Sequence, residues 1–268
     1  MSKTLRRIKT HRKAKNIINS FYDNDPLCLL IHYSCESFYE IKDGKTPRIT
    51  SIAIKYLNTG QTKSFSIHKI AELKQIPIDQ IDNNYDKLEK KMLNKFYKFV
   101  KKHKDYKWIH WNMRDINYGF EALKYRASIL GAKKSNIKEE NKFDLARLLI
   151  DKYGKGYSSH PRLPSILEMN NISSKHWLNG NAEAKAFEDK EYVKLHQSTL
   201  AKVDVMENIL KTTAEENLKT KSNLRDIYGI NPQGLFELAK DHWLYSLILI
   251  VFSTILGILI TNWINGSS

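Results

Sequence analysis

The stretch "WLYSLILIVFSTILGILITNW", residues 243–263, contains no charged side chain, and none follows it. At 1.5 Å rise per residue, a helix of that length covers the roughly 30 Å hydrocarbon core of a bilayer. Trp243 and Trp263 mark its two ends, where interfacial aromatic residues belong. A core helix of a soluble domain is the competing reading, but a helix that is apolar all round suits lipid better in a chain this basic. The run predicts one C-terminal transmembrane helix over 243–264. The rest of the chain precedes it, with 44 basic against 29 acidic residues and a formal charge of +15. By the positive-inside rule, the expectation is a single-pass C-terminal anchor with the N-terminal domain in the cytoplasm. Ser253 and Gly257 form a small-xxx-small pair, the pattern that would pack two such helices into a homo-oligomer.

The chain starts "MSKTLRRIKTHRKAK", which is basic, has no apolar core and does not resemble a signal peptide. Residues 1–25 read as a basic N-terminal arm for nucleic acid or lipid headgroups, or as a plain solvated helix. Residues 26–212 carry the folded domain, and 213–242 a polar juxtamembrane connector broken at "GINPQG". The basic excess suits an anionic partner, although a lysine-rich composition alone would also produce it. Cys28 and Cys35 are seven apart on one expected strand and cannot reach each other for a disulfide. No Cys/His spacing suggests zinc, and no glycine-rich phosphate loop is present.

Alternation predicts strands at 27–35, 47–57 and 62–68, with turns at "DNDP", "KDGK" and "NTGQ". Helical periodicity predicts helices at 80–103, 115–130, 142–153, 163–170 and 189–211, with "KWIHW" at 107–111 as a short buried strand. An antiparallel meander followed by a parallel strand after a crossover gives an α/β fold with a mixed sheet flanked by helices.

Three stretches carry polar groups where chemistry would need them. In "LLIHYSCESFYE", residues 29–40, His32, Ser34 and Glu36 are spaced by two and share one side of a strand. "HWNMRD" places His110 at a strand end and Asp115 near a helix start. "TLAKVD" places Thr199 and Asp204 on a late helix, with His196 one turn earlier. The order of elements resembles the ribonuclease H-like fold. The three stretches resemble the motifs of its DEDD branch of 3′–5′ exonucleases: Asp-x-Glu, then His-Asn-x-x-x-Asp, then His, four residues and Asp. The resemblance spans about residues 27–211.

That resemblance implies cleavage of a nucleic acid or nucleotide with two Mg²⁺ or Mn²⁺ ions. Glu36, Asp115 and Asp204 would be the metal ligands. His196 would be the base, because Thr199 stands where the family has its histidine. Ser34 stands where the family has the aspartate that touches both ions, and a neutral hydroxyl is a poor Mg²⁺ ligand. Ser34, Thr199, His110 and Lys202 would line the substrate site. His160 and Arg162, in the loop "YGKGYSSHPRL", would contact phosphate. Each residue also has a plain structural reading: Glu36 as a strand-end acid, Asp115 as a helix N-cap, Asp204 as a solvated helix residue, Thr199 as packing. Two functions follow. One is a divergent membrane-anchored exonuclease with weakened activity. The other is an inactive nucleotide-binding sensor or membrane effector, for instance in antiviral defence. Under either reading Glu36, Asp115 and Asp204 are expected to converge on one cleft with Ser34 pointing into it, and carboxylates scattered over different faces would count against both the alignment and the site.

Overall fold

The computed structural model describes residues 2–22, 27–36, 46–115, 117–229, 232–240 and 243–266. The turns expected at "DNDP" and "KDGK", the centre of "GINPQG", and the side chains of Trp243 and Trp263 lie outside the described residues.

Strands β1 (Cys28–Cys35), β2 (Ile49–Tyr56), β3 (Thr62–Ser66), β4 (Lys107–His110) and β5 (Lys142–Asp144) form one sheet in the order β3-β2-β1-β4-β5. β1 pairs antiparallel with β2 and β2 with β3, whereas β1–β4 and β4–β5 are parallel. This is the expected meander and crossover. β1 is buried along its whole length, as a central strand must be when helices cover both faces. Its odd residues Leu29, Ile31 and Tyr33 join one apolar layer with α3 (Tyr85–Lys102) and α4 (Phe120–Ile129). Its even residues Cys28 and Leu30 join a second layer, with α1 (Lys3–Asn19), α5 (Leu145–Tyr153), α6 (Arg162–Met169) and α8 (Tyr192–Ala214). The alternation thus splits the two cysteines between opposite faces, and both are free thiols.

Several boundaries moved, each for a local reason. The helix expected from 115 starts at Phe120. Between β4 and α4 the described residues turn tightly, with Asn112 at φ 54° and a backbone bridge between Arg114 and Gly119. A Cβ on Gly119 would sit 2.5 Å from the Met113 carbonyl oxygen, so only glycine closes the loop there. The helix expected from 142 gives its first turn to β5. Asp144 then caps α5, its carboxylate accepting from the Ala146 amide at 3.1 Å. Within residues 26–212, two short helices were not anticipated: α2 (Ile67–Glu72), directly after β3, and α7 (Gly180–Glu188).

The basic arm is not a free segment. α1 buries Ile8, His11, Ala14 and Ile18 along one stripe. Arg7 donates to the Asp151 and Lys152 carbonyls at 2.7 and 3.0 Å, satisfying the open end of α5. The connector is also structured. α9 (Leu224–Tyr228) places Ile227 and Tyr228 against Ile8, and α10 (Pro232–Lys240) is tied to α1 by an Arg12–Glu237 ion pair at 3.0 Å. α11 (Trp243–Gly266) follows, and its stretch Tyr245–Asn262 is long and apolar enough to cross a membrane, with none of it buried. Within it, the Ser253 hydroxyl bonds back to the Ile250 carbonyl at 2.8 Å.

Candidate functional site

The polar end of β1 is the centre of a buried hydroxyl row. In the sheet register Ser34 is opposite Ser51, and Ser51 is opposite Ser66, so three strands each offer a serine. α8 packs across β1 and β2 on this face and adds Thr199. Ser34, Ser51, Ser66, Ser198 and Thr199 are all 0 % exposed. The Thr199 hydroxyl lies 2.8 Å from Ser34 Oγ and 2.6 Å from Ser51 Oγ.

A carboxylate sets the direction of this row. Glu183 sits in the first turn of α7, whose N-terminus is capped by Asn179 and favours negative charge. Its Oε1 accepts from Ser34 Oγ at 3.0 Å and Ser198 Oγ at 2.8 Å. A carboxylate accepts, so Ser34 donates to it; the one Thr199 proton is shared between Ser34 Oγ and the Leu195 carbonyl, each at 2.8 Å, and Thr199 accepts from Ser51. The other oxygen, Oε2, holds the Lys202 ammonium at 2.6 Å, and Lys202 lies 5.4 Å from the centroid of the Trp177 ring. Beside them His32 is buried, with Nδ1 3.3 Å from the Tyr118 hydroxyl. Burial, and then the Lys202 charge, push its pKa well below the ordinary histidine range, so the ring is neutral.

The carboxylates expected to converge are held apart. Glu36, just past the end of β1, takes two side-chain bonds from Arg48 at 3.1 and 3.3 Å. Arg48 in turn lies between the Tyr85 and Phe187 rings, 4.7 and 4.8 Å from their centroids. Asp115 is exposed between β4 and α4, accepts from the Asn117 amide at 2.8 Å and is not the N-cap of α4, a place that Gly119 takes. Asp204 pairs with Lys55 at 2.7 Å. Lys55 is four residues along β2 from Ser51, which is about 13 Å of strand. Among the described residues, no three His, Cys, Asp or Glu side chains group closely enough to hold a metal ion.

The remaining candidates are also displaced. His196 shares the buried side of α8 with Thr199 but faces His68 of α2, ring centroids 5.1 Å apart. Burial, with Lys69 and His68 adding to it, pushes its pKa down to about 4. His110 is buried, accepts from the Met113 amide at 3.1 Å through Nδ1, and is likewise pushed to about 4 by burial. His160 and Arg162 flank a cis peptide to Pro161, and Arg162 donates to the Lys155 carbonyl at 3.3 Å within its own loop. Of the expected site residues, Ser34, Thr199 and Lys202 do come together.

A pair of Mg²⁺ or Mn²⁺ ions does not fit this cleft. Two dications need several carboxylates with free lone pairs. Here one carboxylate serves two hydroxyls and a lysine, and the Lys202 ammonium would repel a cation. Glu183, Ser51 and Ser66 were not anticipated; Ser198 belongs to the polar stretch "HQSTLAK" that also carries His196 and Lys202. Only the strand register, which aligns serines 15 and 17 residues apart in sequence, exposes the row. Comparison with protein-family models, with curated proteins and with solved structures finds no match to this chain.

Proposed function

We propose that this protein is a membrane-anchored domain of ribonuclease H-like, exonuclease-related type that binds a nucleic acid or nucleotide without cleaving it. The observation that carries the reading is the Ser34–Glu183–Lys202 contact. At the position where the resemblance expects an aspartate bridging two metal ions, a neutral hydroxyl donates to a carboxylate already neutralised by a lysine. The strand order and its switch from antiparallel to parallel support the relationship to that fold. The +15 charge supports an anionic ligand.

The test is a nuclease assay on single-stranded DNA and RNA with Mg²⁺ and with Mn²⁺. The expected result is no cleavage above a no-protein control. Cleavage that is abolished by Asp204→Ala would overturn the reading and restore the active exonuclease.

The anchor has its own test, motivated by the uncharged run of α11. The full-length protein is expected to sediment with membranes and resist alkaline carbonate extraction. A chain ending at Asp241 is expected in the soluble fraction. Full-length protein that is soluble without detergent would rule out the anchor.

A further inference from the structure

Along α3 the sequence from residue 90 to the end of the helix at Lys102 holds six lysines and no acid. Lys91, Lys95, Lys98 and Lys102 are spaced by four, three and four, so they form a row along one side of the helix, one charge per turn of about 5.4 Å. Lys95, Lys98 and Lys102 of that row line a groove of about 460 Å³ between α3, β3 and α2, and Lys63 and Lys69 complete its walls. The apolar floor includes Phe65 and Phe99, and no carboxylate lines the groove. Lys63, Lys69, Lys95, Lys98 and Lys102 are exposed and none of them has an ion pair among the described residues. The charges crowd one another: contact with Lys74, and repulsion from Lys74 and Lys95, lower the pKa of Lys91.

Position argues against lipid as the occupant. β3 is one edge strand of the sheet and β5 is the other. The helix leading to the membrane, α10, contacts α1, and α1 packs on α5, which follows β5. The groove and the anchor therefore lie at opposite edges of the sheet. A row of point charges at one spacing, without an arginine fork, suits a polyanion with regularly repeating charge.

We propose that the groove between β3, α2 and α3 is where this protein holds the phosphate backbone of a nucleic-acid strand. The proposal rests on the binding function above and moves its contact surface from the hydroxyl-filled cleft to the sheet edge.

The test uses full-length protein in phosphatidylcholine nanodiscs and fluorescein-labelled single-stranded 20-mers of DNA and RNA, read by anisotropy over a salt series. The variant Lys63→Glu/Lys95→Glu/Lys98→Glu is compared with Arg6→Glu/Lys9→Glu/Lys13→Glu, which makes the same charge change on the exposed side of α1. All six positions are exposed, so both variants are expected to keep the wild-type melting temperature; glutamine replacements serve if either does not. The groove variant is expected to lose at least about tenfold in affinity at 100 mM salt. Its slope of log affinity against log salt should shrink by about 2, the share of three phosphate contacts on a single strand. The α1 variant is expected to stay within about threefold of wild type. Equal losses in both variants, or loss in the α1 variant alone, would overturn the groove. Oligonucleotide binding that the groove variant keeps would overturn the groove while leaving the binding function standing. Failure of the wild type to bind either oligonucleotide would overturn both, and binding of phosphatidylserine vesicles alone would assign the charge to a membrane surface instead.

Discussion

Glu183→Ala is expected to destabilise the folded domain by about 3–5 kcal/mol, because it leaves a buried lysine charge without its partner. Lys202 has a side chain only 9 % exposed and Glu183 only 3 %, so water cannot readily take the place of the lost carboxylate. The same change removes the acceptor for Ser34 and Ser198, both fully buried. In a domain of this size the melting midpoint should fall by roughly 10 °C. Glu183→Gln keeps an oxygen for the two serines and should cost less. Replacing the pair together, Glu183→Leu with Lys202→Met, should recover part of the loss, because the desolvation of both charges disappears with them. Urea or thermal unfolding of the four proteins decides it. A loss below about 1 kcal/mol for Glu183→Ala would mean that the pair is open to solvent, as exposed pairs are.

Restoring the exonuclease motif should fail. Ser34→Asp with Thr199→His is expected to yield no Mg²⁺-dependent nuclease activity and a protein less stable by several kcal/mol. Ser34 Oγ is 3.0 Å from Glu183 Oε1, so an aspartate there would face a second carboxylate, and two such groups cannot both stay ionised cheaply. Thr199 is fully enclosed by Ser34, Ser51 and its own helix, and an imidazole in its place overfills the site at a cost of about 1–3 kcal/mol. The measurement is a paired one: nuclease assay and thermal melt on the same preparation. A variant that cleaves in Mg²⁺ would show that the cleft keeps latent metal geometry, and the view of a replaced site would fall.

The sheet was legible because its signals are local. β1 to β4 show alternation or a short apolar run bounded by turn residues, and α3 repeats its buried face every three or four residues. What escaped was short or non-local. β5 is three residues long and reads as the start of a helix until Phe143 is seen opposite Ile109. α1 reads as a basic arm because its four buried positions are outnumbered by its charges. The site failed on geometry that spacing cannot convey. Five residues beyond Thr199, Asp204 is about 140° round the helix and about 7.5 Å along it, where Lys55 waits. Glu183 lies 149 residues from Ser34 in a polar helix with no motif, and only the packing of α7 against β1 joins them.

The docking of α1 has a consequence for how the chain is made. Arg7 bonds to carbonyls 144 and 145 residues away, and Arg12 to a side chain 225 residues away. At a synthesis rate of about 5–20 residues per second, α1 waits roughly 7–30 s before α5 exists to receive it. Closing so long a loop is slow in its own right. During that interval Ala14 and Ile18 lack the α5 part of their cluster, and Ile8 waits longer still for Ile227 and Tyr228. α10, the last helix before α11, docks on the same α1. Completion of the contacts of α1 and placement of the helix that leads into α11 therefore depend on the same late segment.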